Sequence, residues 1–119
     1  ILDNLESRRN LSVQDRIRYG QTYIQDLEDY EKAKKIFKDL YDSYLEIENA
    51  VKSSGLKRTG INQKTWNEWQ KNYGDIVSTL VLTYQEMNMK GEAELVLMSW
   101  LERNPGDINA KKMLEDVQK

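Results

Sequence analysis

Residues 77–105 read VSTLVLTYQEMNMKGEAELVLMSWLERNP, the pattern of two amphipathic helices separated by a tight turn. Apolar residues recur at intervals of three or four along both halves, which is the spacing of one helical face. Lys90-Gly91 supplies the turn, and Asn104-Pro105-Gly106 ends the second helix. The first stripe begins well before residue 77, and the two stripes together are Trp66, Trp69, Tyr73, Ile76, Val77, Leu80, Tyr84 and Met87, then Ala93, Val96, Leu97, Trp100 and Leu101. Because the connection is short, the pattern predicts an antiparallel helix hairpin over residues 65–104.

Another hairpin, the first along the chain, is predicted over residues 13–52, which makes the hairpin over residues 65–104 the second. Ser12 is a suitable N-cap for a helix over residues 13–26, and a polar turn leads to a longer helix over residues 30–52. The apolar stripe of this longer helix is broad, as expected for a helix packed against two neighbours. Downstream, Asp107 is predicted to cap a last helix over residues 107–118. No segment has the period-2 alternation of a strand, so the sequence predicts an all-α domain of about five helices.

Residues 53–64 interrupt the helical pattern. Ser-Ser-Gly and Thr-Gly are typical of loops, and Gly55 is suited to end the preceding helix. Either Asn62 or Thr65 is suited to cap the following helix. The flanking and internal charges are all positive, so we predict a basic loop carrying Lys52, Lys57, Arg58 and Lys64.

Composition excludes several kinds of chemistry. The 119 residues are enough for one domain with its own core. They include no cysteine and no histidine, which excludes disulfides, thiolate nucleophiles, Cys/His zinc sites and an imidazole general base. The acidic groups (Asp26, Glu28 and Asp29; Asp39 and Asp42; Glu46 and Glu48) lack the spacing of a calcium loop, and we expect them on exposed helix faces or a turn. We therefore expect no metal, no cofactor and no enzymatic activity.

The net charge of −2 argues against a domain whose main task is to coat nucleic acid. No apolar run approaches the roughly 20 residues of a transmembrane segment. The sequence does not determine the compartment, although a cytoplasmic location is slightly favoured. Since the chain begins with Ile1 and lacks a signal-peptide pattern, we expect a processed product or a piece of a longer protein.

The second hairpin resembles the tetratricopeptide-repeat family. That family's pattern has W-x2-L-G-x2-Y on the first helix, A-x3-F on the second and a closing proline. The matching residues here are Val77, Leu80, Val81 and Tyr84, then Ala93 and Leu97, then Pro105. The resemblance implies a right-handed stack of antiparallel helix pairs, with residues 107–118 as the first helix of a further repeat or as a capping helix.

The first hairpin is less similar to this pattern. Gly20 and Tyr23 resemble the first helix and Ala33 and Phe37 the second, but Tyr23 to Ala33 is one residue longer than in the family. No proline closes the hairpin, and the equivalent residues Ala33 and Ala93 lie much further apart than one repeat of about 34 residues. The second helix is therefore expected to be extended, and residues 53–64 to be an insertion.

The resemblance also implies a non-catalytic role in binding a peptide or partner domain through a groove lined by the first helix of each pair. On the third predicted helix, the corresponding positions are Asp75, Ser78, Leu82, Gln85 and Glu86. No Lys, Arg or Asn stands there, so we do not expect the clamp with which some members hold a C-terminal carboxylate. This mildly acidic, mixed surface suits an amphipathic helix or a short basic peptide better.

Two further features leave alternatives open. Trp66 and Trp69 either extend the core stripe or form an aromatic anchor that, with the basic loop, contacts phosphate or nucleic acid. The basic loop is otherwise a solvated loop. Self-association is also open, because a short stack exposes apolar flanks unless it is capped. Residues 1–10, with Leu2 and Leu5, are a candidate cap for the N-terminal end.

Overall fold

The structure is a computed structural model that describes residues 12–119, and the predicted N-terminal cap of residues 1–10 lies outside this part. The described residues form six α-helices and no strand, which confirms the all-α prediction. In chain order they are α1 (Val13–Gln25), α2 (Tyr30–Ser54), α3 (Leu56–Thr59), α4 (Gln63–Glu86), α5 (Lys90–Arg103) and α6 (Ile108–Gln118). The predicted ends of the two hairpins and of the last helix lie within two residues of the observed ones. The turn between α4 and α5 was predicted wrongly, because it lies at residues 87–89, and Lys90 and Gly91 are the first residues of α5.

The prediction of a continuous loop over residues 53–64 is wrong. The segment contains the one-turn helix α3, and α4 already begins at Gln63. Asn62 rather than Thr65 caps α4, because its side-chain oxygen accepts the backbone N–H of Thr65 at 2.7 Å. Gly55 and Gly60 border α3 with φ of +83° and +76°, a backbone region that glycine enters without steric cost.

Short polar side chains start four of the helices. Ser12, Asp29, Asn62 and Asp107 each accept the backbone N–H of the residue three positions later. These N–H groups have no partner inside the helix, so each cap satisfies a donor that would otherwise stay unpaired. The sequence predicted the caps of α1 and α6 and gave Asn62 as one of two candidates for α4.

The helices pack mainly against their chain neighbours. α2 contacts both α1 and α4, α4 contacts α5, and α5 contacts α6. In addition, α1 packs directly against α4, so the first helices of the two hairpins lie side by side. The broad stripe of α2 is thus explained by its two neighbours. The largest fully buried side chains come from α2, α4 and α5 and are Phe37, Leu40, Ile76, Leu80, Val81, Thr83 and Leu97.

The extended end of α2 and the start of α4 are joined by stacked aromatic rings. Tyr44 stacks on Tyr73 with ring centroids 3.7 Å apart and on Trp66 at 5.6 Å. Tyr73 in turn contacts Trp100 of α5 at 4.4 Å. Burial raises the pKa of the Tyr44 and Tyr73 hydroxyls above its ordinary value, because the phenolate would lose its hydration.

Glu48 corrects a sequence expectation, since it does not lie on an exposed helix face. Its side chain is only 12% exposed and forms an ion pair with Arg103 at the end of α5. Lys52, one turn further along α2, approaches the same carboxylate at 3.4 Å. Glu48 therefore connects the extended part of α2 to the second hairpin at a point where a charge would otherwise be left buried.

Candidate functional site

A cavity of about 400 Å³ lies between α1, the start of α2 and α4, and we call it the α1–α4 cavity. Its walls come from α1 and the start of α2 on one side and from α4, which lies far along the sequence, on the other. The lining residues are Gln21, Ile24, Gln25, Tyr30, Thr79, Leu82, Thr83 and Glu86. The direct packing of α1 against α4 therefore creates this cavity, and neither hairpin contains it alone.

The α1–α4 cavity offers an apolar side chain and a few polar groups. Leu82 is 56% exposed, and among the five large apolar side chains of residues 12–119 that are mostly exposed it is the one that lines this cavity. Among the described residues that line it, Glu86 carries the one charge, and none is Lys or Arg. Thr83 is buried and its hydroxyl donates to the backbone oxygen of Thr79 at 2.7 Å, so that group is already satisfied. The groups left for a ligand are an apolar wall, the amides of two glutamines and one carboxylate.

Four of the five residues predicted to line a groove are divided between two cavities. Leu82 and Glu86 line the α1–α4 cavity, whereas Asp75 and Ser78 line a second one. Gln85 lines neither and is partly buried. Asp75, Ser78, Leu82 and Glu86 are spaced by three or four residues, so the four side chains share one face of α4.

The sequence prediction missed the contribution of α1, namely Gln21, Ile24 and Gln25. A signal for it was present. Gly20 and Val81 hold the same place in the two hairpins, each three residues before a tyrosine. Leu82, Gln85 and Glu86 follow Val81 by one, four and five residues, and Gln21, Ile24 and Gln25 follow Gly20 by the same intervals. Counting the same intervals from Gly20 as from Val81 would therefore have predicted that α1 lines the cavity together with α4.

The second cavity lies between α4, α5 and α6 and has a volume of about 240 Å³; we call it the α4–α6 cavity. Its wall is organised by Asp107, whose carboxylate accepts the indole N–H of Trp100 at 2.8 Å and the backbone N–H of Ala110 at 3.1 Å. The remaining lining residues are Gly74, Asp75, Val77, Ser78, Leu97, Asn109 and Met113. No Lys or Arg is among them.

Trp66 and Trp69 lie in the core. They are 8% and 7% exposed, and both rings pack against Tyr44. An aromatic side chain that stacks on a base must present its ring face to solvent. Because both rings are buried, neither presents such a face. This burial fits the interpretation of the two tryptophans as core residues and argues against an exposed aromatic anchor.

The basic residues of the insertion are exposed. Lys57 and Arg58 lie on α3, Lys52 near the end of α2 and Lys64 at the start of α4. Among these four, Lys52 forms an ion pair with a described residue, Glu48. They form a solvated positive surface and line neither the α1–α4 cavity nor the α4–α6 cavity.

Within residues 12–119, no three acidic side chains converge in a way that could hold a metal ion. None of the six helices is long and apolar enough to cross a membrane. Comparison of the chain with models of protein families, with curated proteins and with solved structures finds no match. The functional argument therefore depends on the cavities themselves.

Proposed function

We propose that this chain is a non-catalytic protein-interaction module whose α1–α4 cavity binds a short segment of a partner protein. The observation that carries the proposal is Leu82, a largely exposed leucine on the wall of the larger cavity. Full burial of an exposed leucine contributes about 1.5–3 kcal/mol. Leu82 can gain about half of this, because it is 56% exposed, and an apolar side chain of the partner seated against it gains burial as well.

As part of this proposal, the helices form a tetratricopeptide-like right-handed stack. The support is the packing pattern, in which each second helix lies between two first helices while α1 and α4 also touch. In such a stack the first helices line one common face, and both cavities are bordered by two first helices, α1 and α4 or α4 and α6, with further lining from the start of α2 and from α5. The small residues expected at close helix contacts, Ala33 and Ala93, are both fully buried.

The partner segment is proposed to be basic as well as apolar. Of the lining residues between 12 and 119, counting both cavities, the charged ones are Glu86, Asp75 and Asp107, all of them acidic. A ligand with lysine or arginine next to an apolar anchor is complementary to this lining, whereas an acidic ligand meets like charge. The glutamine side-chain amides of α1 can form hydrogen bonds with the backbone N–H and C=O groups of the segment.

Contact with nucleic acid or phosphate through the basic insertion is the less favoured function. This function would need an aromatic surface on which bases stack and a set of cations that contact phosphate. Trp66 and Trp69 are buried and so do not offer the aromatic surface, and four exposed cations that line neither cavity are ordinary for a solvated segment.

Selection from a displayed library of random peptides tests the proposed function. The purified chain is immobilised and sequences that bind in moderate salt are enriched over several rounds. We expect enriched peptides that combine one large apolar residue with lysine or arginine. Absence of enrichment, or enrichment of acidic peptides, would overturn the proposal. A version in which Leu82 is replaced by glutamine serves as the counter-selection target.

A further inference from the structure

We propose that the α4–α6 cavity is a second subsite of the same groove and takes an arginine side chain of the bound segment. The inference rests on the proposed function because it extends the ligand from the α1–α4 cavity across α4. It specifies which side chain of the ligand occupies the α4–α6 cavity and how far that side chain lies from the apolar side chain bound in the α1–α4 cavity.

The lining of the α4–α6 cavity matches the parts of an arginine side chain. Val77, Leu97, Ala110 and Met113 provide an apolar floor, on which the three methylene groups of the stem can lie. Trp100 provides an aromatic wall next to that floor, and guanidinium groups pack favourably against tryptophan rings. The exposed edge carries Asp75 and Asn109 as acceptors for the guanidinium N–H groups.

The charge of this cavity is uncompensated. Asp75 is exposed and makes no hydrogen bond or ion pair with any residue between 12 and 119. Asp107 is held by the Trp100 indole and the start of α6, which fixes its position while leaving its negative charge in place. An arriving guanidinium would thus find one free carboxylate and one already oriented.

A weak hydrogen bond and an open wall inside the α4–α6 cavity also leave it available to a ligand. The Ser78 hydroxyl has only a sulfur acceptor, Met113 Sδ at 4.0 Å, which is a poor hydrogen bond. A Cβ added to Gly74 would meet no atom within 4 Å, so the wall beside Asp75 is open. The Ser78 oxygen also keeps lone pairs that can accept a hydrogen bond from a guanidinium N–H group of the ligand.

The two subsites fix a minimum spacing within the ligand. Asp75 and Leu82 are seven residues apart on α4, about 10 Å along the helix axis at 1.5 Å per residue. An extended peptide covers that distance in about three residues at ~3.3 Å each. The apolar anchor and the arginine are therefore expected at least three residues apart in an extended segment.

The test uses N-acetylarginine amide as the probe and N-acetylcitrulline amide, which has nearly the same shape without the charge, as its control. Each is titrated to about 50 mM into the isotope-labelled chain, a range that detects even dissociation constants of tens of millimolar. Backbone N–H signals of Asp75, Ser78 and Asn109 are followed by NMR. We expect saturable shifts with the arginine probe and affinity at least about fivefold weaker for citrulline.

Two variants localise the effect. Asp75→Asn is expected to weaken arginine binding about three- to fivefold, the effect of one solvent-accessible ion pair. Asp39→Asn, an equally exposed acid on α2 away from both cavities, is expected to leave it unchanged. Absence of shifts, equal binding of citrulline, or equal effects of the two variants would overturn the inference. If the arginine test fails but selected peptides still bind at Leu82, the proposed function stands and only this inference fails. If the arginine probe binds but no peptide can be selected, the proposed function fails.

Discussion

Gly20 of α1 lies directly against the ring of Phe37 on α2. A Cβ atom built on Gly20 would be 2.6 Å from Phe37 Cε2 and 3.1 Å from Ile36 Cγ2. Phe37 is fully buried, so its ring has no free space into which it could move. The two helices can approach this closely only because residue 20 has no side chain, and the same approach positions α1 beside α4.

Replacing Gly20 with alanine is therefore expected to destabilise the fold. Overpacking of a buried contact costs about 1–3 kcal/mol, which outweighs the gain in helix propensity. Gly74→Ala is the matched control, because Gly74 is also helical and its added methyl would meet no atom within 4 Å. That variant should be more stable by about 0.5–1 kcal/mol. Urea unfolding followed by circular dichroism measures both, and a Gly20→Ala chain as stable as the parent would contradict the packing described.

Glu48→Gln is expected to cost about 1–3 kcal/mol of unfolding free energy. The substitution keeps the shape but leaves the Arg103 guanidinium, 24% exposed, without its charged partner. Asp42→Asn is the control, since it breaks the Lys38–Asp42 pair whose side chains are 45% and 55% exposed. An exposed pair of this kind contributes less than about 0.5 kcal/mol. Equal losses in the two variants would mean that the link between α2 and α5 does not add to stability.

Alkaline pH is expected to unfold the protein together with ionisation of its buried tyrosines. Burial raises the pKa of Tyr44, Tyr73 and Tyr84, and the hydrogen bond to Asp42 raises the pKa of Lys38. In each case the folded state holds its proton more tightly than the unfolded chain. The stability from these groups is thus complete below about pH 10 and is lost as pH rises through the folded pKa values. Tyrosinate absorbance and helicity, recorded on the same samples, should show a late ionisation step that coincides with unfolding. Complete ionisation of all seven tyrosines in a chain that is still helical would disagree with this.

Tyr73→Phe should be neutral or stabilising by up to about 1 kcal/mol, which is unusual for a buried site. The Tyr73 hydroxyl is buried near the hydroxyl of Tyr41 but forms no hydrogen bond of good geometry with a described residue. Removing it abolishes the cost of an unpaired polar group while the ring keeps its stacking. In the control Tyr23→Phe, the hydroxyl bond between Tyr19 and Tyr23 at 3.2 Å is lost, and stability should fall by about 0.5–1.5 kcal/mol. Thermal unfolding distinguishes the two, and a large loss in Tyr73→Phe would reveal a partner for that hydroxyl.

The features that the sequence predicted are those that depend on neighbouring residues in the chain. Helix periodicity and the caps at Ser12 and Asp107 act within one turn, so local patterns identify them. The one-turn helix α3 was missed because its borders, Gly55 and Gly60, are equally typical of a loop. Four residues between two glycines carry too little periodicity to indicate a helix.

Glu48 could not be assigned correctly because its partner is distant in the sequence. Its position is four residues after Tyr44 and three before Val51, which places it on the inner face of α2. Its charge suggested exposure, and only the packing of α5 beside α2 brings Arg103 near enough to make burial favourable. The α1–α4 cavity has the same origin, since its walls are formed by side chains from separate hairpins.

The central claim is that Leu82 marks the ligand-binding face, and one comparison tests it most directly. A peptide enriched by library selection is titrated calorimetrically into the parent chain, Leu82→Gln and Leu95→Gln. Leu95 is the matched control, because it is 62% exposed and lies on α5 outside both cavities. We predict that Leu82→Gln weakens binding about tenfold or more, as loss of one buried leucine requires, and that Leu95→Gln changes it less than about twofold. Equal affinities of the parent and Leu82→Gln chains would contradict the assignment of this face.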